Sequence, residues 1–245
     1  MILGLIPSRL NSKRLKEKPL LEIDGLPMIV HTLKRAQLSK KLDKVIVCTD
    51  DKKIFNVVKK YGGKAALTSK KHKNGTERIY EVAKKIKNAK LIIDIQGDEP
   101  MVDPNDIDKV IEFHNENRKF DIVVPSLEAK DNISSRNLVK VLFSRDGKIL
   151  YFSRAKIPYN YRDKKIKYFR DLSIVSFKFN ALKKYSELKP GKLETIEGIE
   201  LIRALENNMN LGTFIASGSG FAVDVNQDLM RAIDVMPNDR IRKLY

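Results

Sequence analysis

The sequence predicts an α/β fold: a mostly parallel sheet with a smaller mixed sheet inserted in its second half. Three observations carry this. Short, continuous apolar runs such as VIVCTD (Val45–Asp50) and LIIDIQ (Leu91–Gln96) read as strands buried on both faces. Amphipathic helical stretches separate them, the pattern of repeated strand–helix units. After about residue 121 the alternation gives way to close-set strands around Asp146-Gly147, a hairpin-turn dipeptide. No linker, repeat or low-complexity tract interrupts the chain. Residues 1–245 therefore read as one domain with an inserted sheet at about 121–180.

In order, Met1–Pro7 is the first strand. Pro27–Leu38 is a helix, with Ile29, Leu33 and Ala36 at helical spacing. Val45–Asp50 is a strand, and Asp51–Tyr61 a helix stopped by Gly62 and Gly63. Lys64–Ser69 is a short strand, Thr76–Lys87 a helix and Leu91–Gln96 a strand. Pro104 opens a helix at its favoured first position. Asp121–Leu127, Leu138–Phe143, Ile149–Ser153 and Phe169–Phe179 are strands. Leu193–Asn207 is a helix, Leu211–Ser217 a strand and Gln227–Val235 the last helix. Parallel sheets of this kind place ligands beyond the carboxyl ends of their strands.

Bulk composition bounds the function. The single cysteine, Cys48, excludes an internal disulfide and any multi-cysteine metal site. No apolar stretch approaches the roughly 20 residues of a membrane span. The first residues read as a core strand rather than a signal sequence, which points to the cytoplasm. The net charge of +17 raises nucleic acid as a partner. Lysines are nevertheless spread along the chain, without zinc-finger spacing, an RNA-recognition aromatic motif or a basic tail. Solvated lysine-rich faces, with some contribution from a small anionic substrate, account for the charge.

Four motifs carry chemistry. After the first strand, IPSRLNSKRLKEKPL presents Arg9, Lys13, Arg14 and Lys18, cations suited to a triphosphate. It lacks both the Walker glycines and G-x-G-x-x-G, so a dinucleotide cofactor is unsupported; a solvated surface loop is the plain alternative. In HKNGTERI, Asn74-Gly75-Thr76 is a turn whose Thr76 can cap the next helix, and whose backbone N–H groups could meet a nucleotide. In IIDIQGDEPMV, Gly97 permits a tight turn that leaves Asp98 at a strand's carboxyl edge. A carboxylate there suits Mg²⁺, which takes one or two carboxylates plus phosphate oxygens, or it suits a helix cap. In FAVDVNQDL, Asp224 sits among apolar residues and needs a metal or local backbone N–H groups.

In order and spacing these motifs resemble the 3-deoxy-manno-octulosonate (Kdo) cytidylyltransferases, from about Leu3 to Leu229. GLPMIVHTLKRA, VKVLFS with YFSRAKIP, and LETIEGIELIRALE strengthen the resemblance. It implies the Rossmann-like nucleotide-diphospho-sugar transferase fold, with the inserted sheet used for homodimerisation and part of the sugar site. It implies attack of a sugar's anomeric hydroxyl on the α-phosphorus of CTP, with loss of pyrophosphate, for lipopolysaccharide or capsule assembly. Arg9, Arg14 and Lys18 would contact the triphosphate, and Asn74, Gly75, Thr76 and Arg78 would line the nucleoside pocket. Asp98 and Asp224 would hold Mg²⁺ and, with Lys18, form the catalytic set. Gln96, Arg154, Asp171 and Glu197 would face an acidic keto-sugar. A metal can acidify the attacking hydroxyl, so none of His31, His72 and His114 is required as a base. Neither nucleic acid nor a membrane is expected as a partner.

Three departures from the family pattern stand out. The loop that reads L-P-G-K-P-L in the family has Lys16-Glu17 in place of Pro-Gly. The H-L-G-x-Y-x-Y segment has Asp171 for its histidine and Val175 for its first tyrosine. Leu201 replaces a helix glutamine. These suggest cytidylyl transfer to a changed acceptor, such as an amino-substituted octulosonate whose ammonium meets Asp171. Transfer to another sugar or a nonulosonic acid, or nucleotide binding without turnover, are the competing readings.

Overall fold

A computed structural model describes residues 1–12, 14–129, 133–218 and 220–245. Lys13 of the basic loop lies outside the described residues. The strand β1 (Ile2–Ser8) is central because its side chains alternate between two cores: Leu3 and Leu5 enter one, Ile6 the other. A small hairpin follows, β2 (Glu22–Ile23) and β3 (Leu26–Pro27), then α1 (Met28–Gln37). Next come β4 (Lys44–Thr49), α2 (Lys52–Lys60), β5 (Ala65–Leu67), α3 (Gly75–Ala83), β6 (Leu91–Ile95) and α4 (Pro104–Glu116). The second half adds β7 (Ile122–Val123), β8 (Ser126–Ala129), β9 (Lys140–Phe143), β10 (Ile149–Ser153), β11 (Tyr168–Asp171) and β12 (Ile174–Lys178). The helices α5 (Phe179–Glu187), α6 (Lys192–Glu197) and α7 (Ile202–Glu206), the strand β13 (Leu211–Gly212) and α8 (Asn226–Val235) complete it.

The larger sheet runs β13-β7-β12-β6-β1-β4-β5. Its pairings are parallel except those of β12, which runs against both β6 and β7. Helices α3 and α5 cover one face; α1, α2 and α4 cover the other. From β1 the chain moves outward to β4 and β5, then crosses through α3 to β6 on the opposite side. The order therefore reverses between β1 and β6, which opens a crevice beyond their carboxyl ends.

The smaller sheet, β10-β9-β11-β8, is antiparallel at every pairing rather than mixed. Its β9–β10 hairpin turns at Asp146-Gly147, as the sequence predicts, with Gly147 at φ 77°. Two strands that read as continuous are each divided between the sheets. Asp121–Leu127 breaks around Pro125 into β7 and β8, and Phe169–Phe179 breaks at Leu172-Ser173 into β11 and β12. The Leu172 N–H donates to the Pro125 carbonyl (2.9 Å), so the two crossings brace each other. Val141, Ile149 and Phe152 of the smaller sheet share one apolar cluster with Leu3 and Leu5.

Other differences have local causes. The helix expected over Leu193–Asn207 is cut at Gly198, which ends α6 at φ 61°. The strand expected over Leu211–Ser217 shortens to β13, with an isolated bridge at Ile215. Asn74, not Thr76, caps α3 by accepting the Glu77 N–H (2.8 Å). The β2–β3 hairpin was legible in Asp24-Gly25, whose φ values of 45° and 73° are those of a hairpin turn, but the sequence reading passes over it. No helix among the described residues is long and apolar enough to cross a membrane.

Candidate active site

At the crevice between β1 and β6 lies a cleft of about 370 Å³. Pro7 and Ser8 end β1 at its floor, and Gln96, Gly97 and Asp98 follow β6 beside them. Gly97 is required there: a Cβ would stand 2.7 Å from the Pro7 carbonyl oxygen, which is fixed in β1. Of the adjacent acids, Asp98 faces the cleft and Glu99 turns inward, where burial pushes its carboxyl up to about 7.

The basic loop closes one side. It ends in a 3₁₀ turn, Lys18–Leu20, that carries Lys18 into the cleft. Lys18 Nζ donates to Asp98 Oδ2 (2.6 Å), to Asp224 Oδ1 (3.2 Å) and to the Val223 carbonyl (2.9 Å). Two aspartates 126 positions apart in the sequence thus converge on one ammonium. Arg14 pairs with the same Asp224 oxygen at 2.7 Å. The Val223 N–H donates to the Asp98 carbonyl (2.9 Å), so the two acid-bearing segments are also joined through backbone. Asp228 fixes the second acid: its Oδ2 accepts the Asp224 and Val225 N–H groups at 2.9 and 3.0 Å. Arg9 lines the cleft and is exposed, with no ion pair among the described residues.

His72, Lys73, Asn74, Gly75 and Arg78 form the opposite wall. Gly75 packs on Pro7, where a Cβ would meet the proline ring at 3.1 Å. Arg78 is buried and bonds Asp50 (2.9 Å) beyond β4 and Thr68 (2.6 Å). Thr76 turns away from the cleft and donates to Glu200 (3.2 Å), which itself lines the cleft and whose carboxyl burial pushes up. Gln96 Nε2 donates to Asp94 (3.0 Å), whose carboxyl is driven well above the usual range by burial, with the Glu200 and Asp98 charges adding to the effect. His72 bonds Glu81 at 2.7 Å. His31 and His114 are buried and bonded through both ring nitrogens.

The residues expected at the sugar divide. Gln96 lines the cleft; Arg154, Asp171 and Glu197 do not. The Arg154 guanidinium is spent on three carbonyls, those of Glu197, Gly198 and Arg136. Glu197 accepts from Ser153 Oγ (2.6 Å) and the Arg154 N–H (2.9 Å). Asp171 is half-buried next to Arg170, and desolvation pushes its carboxyl up to about 6. Sequence reasoning missed Glu200 and Asp228. Glu200 carried a signal, an acid set between Ile199 and Leu201, whereas Asp228 reads as an ordinary helix-start acid.

A family model described as Cytidylyltransferase matches residues 3–211. A Fusobacterium nucleatum protein named 3-deoxy-manno-octulosonate cytidylyltransferase is 39% identical over 242 residues, covering 98% of each chain. A protein of the same name from Thermodesulfovibrio yellowstonii is 36% identical, covering 92% of this chain and 94% of its own. The solved structure of CMP:2-keto-3-deoxy-manno-octonic acid synthetase complexed with CTP superposes with a TM-score of 0.92 at 32% identity, over 97% of this chain and 98% of that one. A Bacillus anthracis thymidylyltransferase structure (TM-score 0.67, 18% identity) shares the fold. The alignment along nearly the whole length, together with the acid pair and basic loop at the switch point, shows that this chain is a nucleotidyltransferase belonging to the 3-deoxy-manno-octulosonate cytidylyltransferase family.

Proposed function

We propose that this enzyme transfers CMP from CTP to the anomeric hydroxyl of 3-deoxy-manno-octulosonate, releasing pyrophosphate, with Mg²⁺ held by Asp98 and Asp224. The observation that carries the reading is the convergence of Lys18, Asp98 and Asp224 at the mouth of the switch-point cleft. The names of the relatives support the nucleotide and the sugar. Among the described residues no cluster of three or more His, Cys, Asp or Glu forms a protein-only metal cage. Two carboxylates, 29% and 31% exposed toward the cleft, fit a hard cation that completes its shell with phosphate oxygens and water. When bound, such an ion supplies neutralisation of phosphate charge and acidification of a coordinated hydroxyl.

The protein's own groups do the rest. Arg9, Arg14 and Lys18 line one side of the cleft and would grip the triphosphate. Asn74, Gly75 and Arg78 line the other side, where the nucleoside would lie. The sugar oxygen forms a bond to the α-phosphorus as the bond to the pyrophosphate oxygen breaks, and the hydroxyl proton passes to solvent. Such a displacement needs alignment and charge neutralisation more than covalent help, which matches a cleft rich in cations and short of free bases. The unmodified octulosonate is favoured over an amino sugar, because Asp171 lies against Arg170 and outside the cleft lining. We also assign residues 1–245 to a single catalytic domain, working as a homodimer through its smaller sheet, in the cytoplasm.

Pyrophosphate release, assayed with each nucleotide and a panel of sugar acids, tests the reading. CTP with the octulosonate should be the preferred pair. Asp98→Asn and Asp224→Asn should each slow turnover by about 100-fold or more while the protein stays folded. Near-wild-type rates in either variant would remove the metal assignment.

A further inference from the structure

Behind the cleft, one face of α1 is buried and polar. Met28, His31, Thr32 and Arg35 are all fully buried, and Met28 also lines the cleft. The His31 Nε2–H donates to the Ile23 carbonyl at 2.6 Å, since a carbonyl can only accept. That fixes the tautomer of the neutral ring, so Nδ1 accepts the Tyr245 hydroxyl proton at 2.8 Å. The same hydroxyl oxygen accepts the Arg35 Nε–H at 3.2 Å. Arg35 Nη2 reaches Asp239 Oδ1 at 2.6 Å, and that oxygen also accepts the Ile241 and Arg242 N–H groups. Arg242 closes the circuit with an ion pair to Asp24, in the β2–β3 turn (2.6 Å).

Each end of this network lies on a segment that carries a site residue. Ile23 follows the Lys18 turn; Met101, whose sulfur lies 3.8 Å from Arg35, follows Asp98; Met236 and Asp239 follow Asp224 through α8. Thr32 adds a contact to the Gly97 carbonyl at 3.4 Å. A separate apolar cluster gathers the same three segments: Leu15 and Ile23, Met101, and Val223 with Met236. A wholly apolar filling would hold these segments together at least as stably, because a buried ion pair gains little net energy. What a directional buried network adds is register.

We propose that Arg35, Tyr245 and His31 are positioning residues: through them the segment Met236–Tyr245 straps the Lys18 turn, the Asp98 turn and the Asp224 segment into the one arrangement in which both carboxylates meet. The inference rests on the proposed metal role only for its kinetic consequence. Its structural consequence, a fixed spacing between the Asp98 and Asp224 segments, stands without it.

Tyr245→Phe is the test, since it removes only the hydroxyl that joins Arg35 to His31. Native-state hydrogen exchange at the Val223 N–H, the donor to the Asp98 carbonyl, should quicken by about tenfold, the effect of losing one buried hydrogen bond. The His31 ring should keep its Nε2–H tautomer, held by the Ile23 carbonyl, while its Nδ1 NMR signal shifts on losing the hydroxyl donor. Half-saturating Mg²⁺, at saturating CTP, should rise by about tenfold while kcat at saturating metal stays within about twofold. Asp239→Asn leaves the fully buried Arg35 guanidinium without its carboxylate and should quicken Val223 exchange at least as much. A Tyr245→Phe protein with a lower melting temperature but unchanged Val223 exchange and an unchanged His31 Nδ1 signal would overturn the strap. Changed exchange with no dependence on Mg²⁺ would instead leave the strap standing and reject the metal reading.

Discussion

Lys18 holds the position from which the site is organised. Its side chain is 12% exposed, and its ammonium bonds two carboxylates that would otherwise repel each other across a gap. The pair is thereby kept in place and charge-balanced, and Arg14 shares the task on Asp224. Histidines do different work. His114 is buried between Ser176 and the Phe120 carbonyl, and burial lowers it to about 4 from 6.5. The unfolded chain therefore binds a proton that the folded chain refuses as pH falls from 6.5 to about 4. His114 thus contributes stability that is present above pH 6.5 and is lost as pH falls through that window, by about 3 kcal/mol at its lower end. Urea midpoints near neutral pH and at about pH 4.5 should differ by less in His114→Gln than in the wild type. An equal difference would show that another group sets the acid limb.

Among the elements, the turn that delivers Lys18 carries an uneasy residue. Glu17 sits in the left-handed region at φ 49° and ψ 34°, the position at which the family motif has glycine. A side chain there costs about 1–2 kcal/mol, and the exposed Glu17–Lys53 pair returns little of it. Glu17→Gly should stabilise the protein by about 0.5–1 kcal/mol, the relief being partly offset by a more flexible unfolded chain. Glu17→Val should lose about 1–2 kcal/mol, because a β-branched residue resists this conformation most. Chemical denaturation of the two variants reads the difference directly; a Val variant as stable as the Gly variant would refute the strain. This loop was legible as basic and as following the first strand, and Gly97 as a tight turn. The divided strands were not. Neither Val124-Pro125 nor Leu172-Ser173 departs enough from a strand pattern to show that the chain changes sheet there, since period-2 alternation reports burial and not which sheet buries the residue.

Over the whole molecule, a net charge of +17 meets a substrate that is itself a polyanion. Arg9, Arg14, Lys18 and Lys73 concentrate that field at the cleft. Raising salt from about 0.05 to about 0.5 M should lower kcat/KM for CTP several-fold and change kcat little, because screening weakens encounter more than the aligned reaction. Steady-state kinetics across that range decides it; a kcat that falls in step with kcat/KM would mean that salt acts on the chemistry. The same field explains why composition alone could not separate a small anionic substrate from nucleic acid. In the sequence that choice turned on lysines spread along the chain and on the missing zinc-finger spacing, RNA-recognition aromatic motif and basic tail.

By itself the sequence determined the layered α/β architecture and the family, and it singled out Lys18, Asp98 and Asp224 as candidates, because apolar periodicity and short motifs are written locally. Only the tertiary structure decided that the two aspartates meet on one lysine, that Glu200 joins the cleft while Arg154 turns to backbone carbonyls, and that Tyr245 reaches α1. Those relations depend on contacts between residues tens to hundreds of positions apart. They exist only once the reversal of strand order between β1 and β6 has brought distant segments to one edge of the sheet.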